Sequence, residues 1–311
     1  MAGIAGHFFS HGNKFEKKGI TMKQKSTRCA GPIGEGKRKW ARAPVRATNY
    51  PEKSFIRRIL MTASLALILN FVAAPVMSAD GIDAEADKIL RSMTTYLGGL
   101  PSISVRADVD NEIVDLAGQK LQLSSSTEII IARPSKLHVS RQGPFANTRL
   151  IFDGKVLTLY GKDHNVYAQI ESPGTIEDAI ETIRSETGLD APGADLFYAD
   201  PYPGLTSGVT SGAYIGTAYV NGLECHHLAF RADKVDWQLW VQVGDTPLPM
   251  KYIITTKWMT GAPQYAVRFR DWNVKPRIEK SRFEFSLPEG ARKIEKIPAN
   301  EMGEFILEGN Q

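Results

Sequence analysis

An apolar run at Ile59–Ala74 separates the chain into two parts of opposite net charge, and this division indicates which part forms the folded domain. Arg57 and Arg58 precede the run, and the small residues Ser78 and Ala79 follow it. A basic segment, an apolar segment and small residues in this order are typical of a secretory signal peptide. The run is shorter than the roughly 20 apolar residues of a membrane-spanning helix, so we expect cleavage rather than a retained anchor.

The charge balance changes sign at this run. Residues 1–79 contain 14 Lys and Arg against 3 Asp and Glu, whereas residues 80–311 contain 24 against 31. The exported part is therefore acidic, which argues against a nucleic-acid partner. We expect an unstructured or wrongly assigned extension over residues 1–52, a signal peptide over residues 53–79 and a single domain over residues 80–311. After cleavage, that domain is expected to be soluble in the periplasm.

Alternation of apolar and polar residues dominates residues 80–311 and predicts strands with one buried face. Asp153-Gly154 and Asn221-Gly222 predict tight hairpin turns. The fold class that follows is mainly β, a curved antiparallel sheet or incomplete barrel of about 11 strands with helices across its concave side. The candidate strand segments lie at Ile103–Val109, Gln119–Leu123, Thr127–Ala132, Lys136–Ser140, Thr148–Phe152, Val156–Tyr160, Val166–Ile170, Ala213–Val220, Glu224–Arg231, Trp237–Val243, Lys251–Thr256, Gln264–Trp272 and Arg282–Ser286.

Two longer segments have helical spacing of their apolar residues. The first begins after Asp83, a favourable N-cap, and ends near Gly98-Gly99. The second covers Thr175–Thr187 and ends at Gly188. The Gly- and Pro-rich segment Ala191–Ser211 is predicted to be a short helix followed by a long mobile loop, which would act as a lid.

The most conspicuous cluster of chemically active side chains is Cys225-His226-His227. On a strand, successive side chains point to opposite faces, so these three residues do not converge on one metal ion. We therefore expect structural roles for them, with no metal site and no cofactor. The chain also lacks a Gly-x-Ser-x-Gly nucleophile motif and a phosphate-binding loop.

Aromatic and apolar side chains point instead to a hydrophobic binding site. A large bent sheet has more concave area than two helices fill, and the remaining cavity is where a hydrophobic ligand would bind. The predicted ligand-binding and lid residues are Arg133, Phe197, Tyr198, Leu205, Trp237 and Trp240.

Several short motifs resemble those of the LolA/LolB-like lipoprotein carriers. They are Arg133-Pro134, Phe152–Val156, Leu159-Tyr160, Phe269–Pro276 and Phe283–Gly290, and their order and spacing carry the resemblance. The resemblance implies a half-barrel closed by helices around a hydrophobic cavity that holds acyl chains. It also implies that Arg133 matches the arginine that holds the lid shut.

Within that superfamily the chain is most similar to a family of predicted periplasmic proteins, domain of unknown function 2092. The segments Cys225–Phe230, Trp237–Trp240 and Pro247–Pro249 carry this similarity. The block at Ala191–Ser211 and the Cys225-His226-His227 strand depart from the carriers, so the cargo is left open.

The combined interpretation is a non-enzymatic periplasmic carrier of a lipid or another hydrophobic molecule. Transient contact with a membrane and binding of an envelope protein both remain open. Two alternatives stand beside it. One is an envelope interaction or structural protein whose cavity is filled by its own side chains. The other is a hydrolase that uses His226 or His227 with a nearby Asp.

Overall fold

A computed structural model of the chain describes residues 81–115, 117–143, 147–187 and 191–295. The predictions for residues 1–79, including the signal peptide over residues 53–79, lie outside the described residues. The division of the chain into 1–52, 53–79 and 80–311 therefore stays a prediction.

The described strands form one sheet of 13 strands. They are β1 (Gly81–Ile82), β2 (Ser102–Val114), β3 (Lys120–Ala132), β4 (Lys136–Gln142), β5 (Thr148–Phe152), β6 (Val156–Gly161), β7 (Val166–Glu171), β8 (Val209–Val220), β9 (Leu223–Ala232), β10 (Val235–Gln242), β11 (Pro249–Thr256), β12 (Gln264–Asn273) and β13 (Arg292–Lys293). Their order is β1-β8-β9-β10-β11-β12-β2-β3-β4-β5-β6-β7-β13, and only the β1–β8 and β7–β13 pairs are parallel. The large, mainly antiparallel open sheet confirms the predicted fold class, and the two strands beyond the expected 11 are two-residue edge strands.

Three α-helices and two short 3-10 helices complete the described part of the chain. They are α1 (Ala84–Gly98), α2 (Ile176–Thr187), α3 (Pro201–Thr206) and the 3-10 helices Ala194–Phe197 and Lys280–Phe283. The predicted N-cap is confirmed, because the Asp83 carboxylate accepts a hydrogen bond from the Ala86 N–H at 2.6 Å. In the residues that the structure describes, no helix is both long enough and apolar enough to cross a membrane.

The sheet has two distinct faces, which the strand register defines. Odd-numbered residues of β2, such as Val105 and Ala107, are buried together with residues of α1, α2 and the Ala194–Phe197 helix in one apolar cluster. We call this side the helix-covered face and the opposite side the outer face. On the outer face of β6 and β7, the Phe285 ring lies 5.9 Å from the Tyr160 ring and 5.2 Å from the Tyr167 ring. The segment before β13 therefore covers part of the outer face.

Three of the predicted strands differ from the structure. Gln119–Leu123 and Thr127–Ala132 belong to one long strand, β3, because the intervening serines keep pairing with β2. The Ser124 hydroxyl, for example, donates a hydrogen bond to the Asp110 carboxylate at 2.5 Å. Arg282–Ser286 is not a strand, because the edge of β7 pairs with Arg292–Lys293 instead.

The prediction of one long loop within Ala191–Ser211 was also wrong. This segment contains the 3-10 helix Ala194–Phe197 and the helix α3, and β8 begins at Val209. Pro201 occupies the first turn of α3, where its missing N–H costs nothing. Gly- and Pro-rich composition here marks short helices with tight connections rather than a chain without regular structure.

Candidate functional site

Arg133 joins the end of α1 to the segment 194–206, which holds the two short helices that follow α2. Its Nε donates a hydrogen bond to the Leu100 carbonyl at 3.1 Å, and its Nη1 donates one to the Phe197 carbonyl at 2.8 Å. Burial lowers the pKa of Arg133, and the nearby Glu177 carboxylate opposes this shift. The structure thus brings together Arg133 and Phe197, two of the residues that the sequence nominated.

The segment 194–206 is also held by side chains of α1. The Arg91 guanidinium lies over the Tyr202 ring, 3.8 Å from its centroid, and donates a hydrogen bond to the Tyr202 hydroxyl at 2.7 Å. The Tyr202 hydroxyl in turn donates to the Asp87 carboxylate. On the α2 side, the Tyr198 hydroxyl donates to the Glu181 carboxylate at 3.3 Å. Contacts with both helices therefore fix the position of this segment.

Asp195, in the same segment, has an ionisable carboxyl group that is buried in the protein interior. The residue is 3% exposed, and its Oδ1 atom has no hydrogen-bond partner among the described residues. Burial raises the pKa of Asp195 to about 6, although the positive charge of Arg184 lowers it. A carboxyl group with this pKa changes its charge close to neutral pH.

The two nominated tryptophans lie on opposite faces of β10. Trp237 is 2% exposed on the helix-covered face, where it stacks on Phe230 with ring centroids 3.9 Å apart. Trp240 is on the outer face, where it stacks on His227 at 4.1 Å and lies under the Lys251 ammonium group at 4.6 Å. Leu205, at 2% exposure, is part of the buried cluster. The six nominated residues do not form one site, and their role in ligand binding stays a prediction.

The Cys225-His226-His227 segment lies on β9, and its two histidines point to opposite faces, as predicted. His226 pairs with Val241 and its Nδ1 lies 3.3 Å from the Tyr214 hydroxyl. The His227 Nε2 lies 2.9 Å from the Gln238 Oε1, and burial lowers the pKa of His227. Within the part of the chain that the structure describes, no three His, Cys, Asp or Glu side chains are placed to hold a metal ion.

A half-buried row of four apolar side chains crosses the helix-covered face of β3–β6. Its members are direct cross-strand partners, and we call them the apolar row: Ile129, Val139, Leu150 and Leu159. The next row on the same face is at most 5% exposed: Ile131, Leu137, Phe152 and Leu157. Four strands about 4.8 Å apart make the apolar row about 14 Å long. Sequence reasoning missed this site, since alternation identifies a strand face but not which part of that face the helices leave uncovered.

Comparison with proteins of known structure gives matches of low identity. The lipoprotein LppX of Mycobacterium tuberculosis is 15% identical, with 63% of this chain and 98% of that chain covered and a TM-score of 0.36. LprF of Mycobacterium bovis is 12% identical, covering 69% and 100%, with a TM-score of 0.39. A LolA superfamily protein of Nitrosomonas europaea is 11% identical, covering 63% and 96%, with a TM-score of 0.33. These values are too low for any of the three to support an argument about this chain.

A family model settles the relationship that the motifs indicated. No protein with a curated description matches the sequence. The model of the predicted periplasmic proteins DUF2092 matches residues 86–296. The match includes every strand from β2 to β13 as well as α2 and α3. Because it covers more than half of the chain, the protein belongs to the DUF2092 family of predicted periplasmic proteins, and its location is the periplasm.

Proposed function

We propose that this protein is a periplasmic carrier that binds a lipid or another hydrophobic molecule on the apolar row and performs no chemistry on it. The observation that supports the proposal most strongly is the partial exposure of four adjacent apolar side chains next to a row on the same face that is almost fully buried. Covering apolar surface gains about 25 cal/mol per Å². The apolar row is about 14 Å long, and in this proposal an acyl chain lies along it.

The segment 194–206 is the lid in this proposal. Arg133 holds it to the Leu100 carbonyl, and Tyr202 and Tyr198 hold it to α1 and α2. These are polar contacts between side chains or from a side chain to the backbone, each worth about 0.5–3 kcal/mol. Leu196, Phe197 and Leu205 of the same segment are also buried in the apolar cluster, so opening of the lid for ligand entry would expose these side chains as well.

The arrangement of the histidines supports binding without catalysis. A general base needs a partner that orients it and a nucleophile within hydrogen-bond distance. His226 and His227 instead contact Tyr214 and Gln238, on opposite faces of the sheet. The structure therefore favours the carrier over the hydrolase that the sequence left open.

The experiment is a titration of the purified domain with N-phenyl-1-naphthylamine, a neutral probe whose fluorescence rises in apolar surroundings. We expect saturable binding that the Leu150→Gln variant weakens about tenfold, since a polar group in the apolar row must be desolvated. Gln169→Glu is the matched control, because Gln169 is exposed on the outer face of β7. That variant should bind the probe like the wild type.

Two results would contradict the proposed function or its binding surface. A wild-type domain that binds no probe, and that co-purifies with a stoichiometric envelope protein, would favour the interaction-protein alternative. Equal loss of binding in the Leu150→Gln and Gln169→Glu variants would show that the apolar row is not the binding surface.

A further inference from the structure

Arg141 is the one charged residue on the helix-covered face of the described strands β2–β7. The strand register assigns alternate residues of these described strands to that face, from Ile103 on β2 to Ile170 on β7. Apart from Arg141, the residues so placed are apolar, Gly, Ser, Thr or Asn. Arg141 is half-buried, and a positive charge without an acidic partner on a largely apolar face is a candidate binding group for a negatively charged ligand.

The side chains around Arg141 do not neutralise its charge. Its Nε donates a hydrogen bond to the Ser125 hydroxyl at 3.1 Å. Its direct cross-strand partners are Thr127 and Thr148. Within the described part of the chain, Arg141 forms no ion pair, and the Thr127 hydroxyl, in a residue only 8% exposed, forms no hydrogen bond. The guanidinium group is thus surrounded by neutral hydroxyl groups and retains donors for a further acceptor.

Arg141 borders the apolar row. It follows Val139 by two residues on β4, so the two side chains point to the same face about 6.7 Å apart along the strand. The positive charge also extends across the face toward β12, since it lowers the pKa of Tyr265 while burial raises it. An apolar surface and a single positive charge therefore lie side by side.

We propose that the molecule bound on the apolar row is a long-chain carboxylate whose acidic head group is held by Arg141. The guanidinium fork matches the two oxygens of a carboxylate, and the hydroxyls of Thr127 and Thr148 supply further donors. One guanidinium group balances one negative charge, which favours a monoanion. This inference rests on the proposed carrier function, and it specifies the chemical class of the ligand.

The test compares 11-(dansylamino)undecanoic acid with its methyl ester at pH 8, where the free acid is ionised. Both probes have the same apolar chain, so only binding of the carboxylate distinguishes them. In the wild-type protein, we expect the acid to bind at least tenfold more tightly than the ester. Arg141→Gln should weaken binding of the acid about tenfold and change binding of the ester less than twofold.

Arg149→Gln is the matched control. Arg149 lies on the next strand, β5, and pairs with Ser140 on the outer face. Its replacement removes the same charge from the same sheet, and binding of both probes should stay within twofold of the wild type. Arg141→Lys, which keeps the charge and loses the fork, should bind the acid with intermediate affinity. That variant also provides the test if the Arg141→Gln variant does not fold.

Three outcomes would overturn the inference, and they can be told apart. Equal affinity of the wild type for acid and ester would refute the role of Arg141 while the carrier function stands. Displacement of the probe by phosphatidylglycerol vesicles but not by palmitate would also refute the inference. It would indicate that the bound head group is a phosphodiester rather than a carboxylate. Absence of binding of both probes would refute the proposed function itself.

Discussion

Replacing Asp195 with Asn should stabilise the protein, and the gain should depend on pH. The carboxyl group is 3% exposed, and burial raises its pKa from 3.8 to about 6. A raised pKa means that the folded state holds a proton that the unfolded state loses between these two values. The Asp195 carboxyl therefore costs no stability below about pH 4, and its cost grows as the pH rises toward 6. Above pH 6, where both states are ionised, the cost is constant.

The magnitude follows from the shift of about two pKa units. At about 1.4 kcal/mol per unit, ionised Asp195 lowers the free energy of unfolding by about 3 kcal/mol at pH 8 and by about 1 kcal/mol at pH 4.5. Asn has nearly the same shape and carries no charge. Its side-chain oxygen can still accept the hydrogen bonds that the backbone N–H groups of Asp195 and Leu196 donate to the carboxylate. The free energy of unfolding of the Asp195→Asn variant should therefore exceed that of the wild type by these amounts.

The assay is urea unfolding followed by tryptophan fluorescence at pH values from 4.5 to 8. Asp200→Asn is the control, because Asp200 is an exposed carboxylate in the same part of the chain. The difference in free energy of unfolding between Asp200→Asn and the wild type should stay constant from pH 4.5 to 8. A constant difference between Asp195→Asn and the wild type, or a difference that grows as the pH falls, would refute the reasoning.

Three further predictions concern how the segment 194–206 is held. Arg133→Met should lower the free energy of unfolding by about 2–3 kcal/mol in urea denaturation, since it removes two charge-assisted hydrogen bonds, whereas Arg149→Met should cost about 0.5 kcal/mol or less. Gly98→Ala should destabilise by about 1–2 kcal/mol in the same assay, because its Cβ would lie 2.3 Å from the Ala199 carbonyl oxygen, which outweighs the gain in helix propensity of about 1 kcal/mol. Tyr202→Phe should lower the melting temperature by a few degrees, and an unchanged value would contradict its role in holding the segment.

Alternation in the sequence was sufficient to assign the faces of the strands. It placed Trp237 and Trp240 on opposite sides of one strand, and did the same for His226 and His227, as the register shows. It succeeded because the period of two belongs to every strand regardless of its neighbours. The hairpin at Asn221-Gly222 was predictable for the same local reason, and both residues have positive φ, at 51° and 78°.

Features that depend on distant contacts could not be predicted. Ser124–Ser126 have no strong preference for a strand, and pairing with β2 is what keeps them in β3. Phe283 and Phe285 alternate with polar residues, as in a strand. The edge of β7 nevertheless pairs with Arg292–Lys293, so residues 283–285 do not join the sheet. The partial exposure of Leu150 depends on how distant segments pack against the sheet, and no local pattern encodes that packing.

The most direct test of the account is native mass spectrometry of the protein isolated from the periplasm without detergent. We expect a species heavier than the polypeptide by one bound molecule, and organic extraction should release that molecule and identify it as a long-chain carboxylate. The same preparation of the Leu150→Gln variant should carry much less of that molecule. A wild-type protein with the mass of its polypeptide alone, which also takes up no amphiphile when one is added, would contradict the central claim.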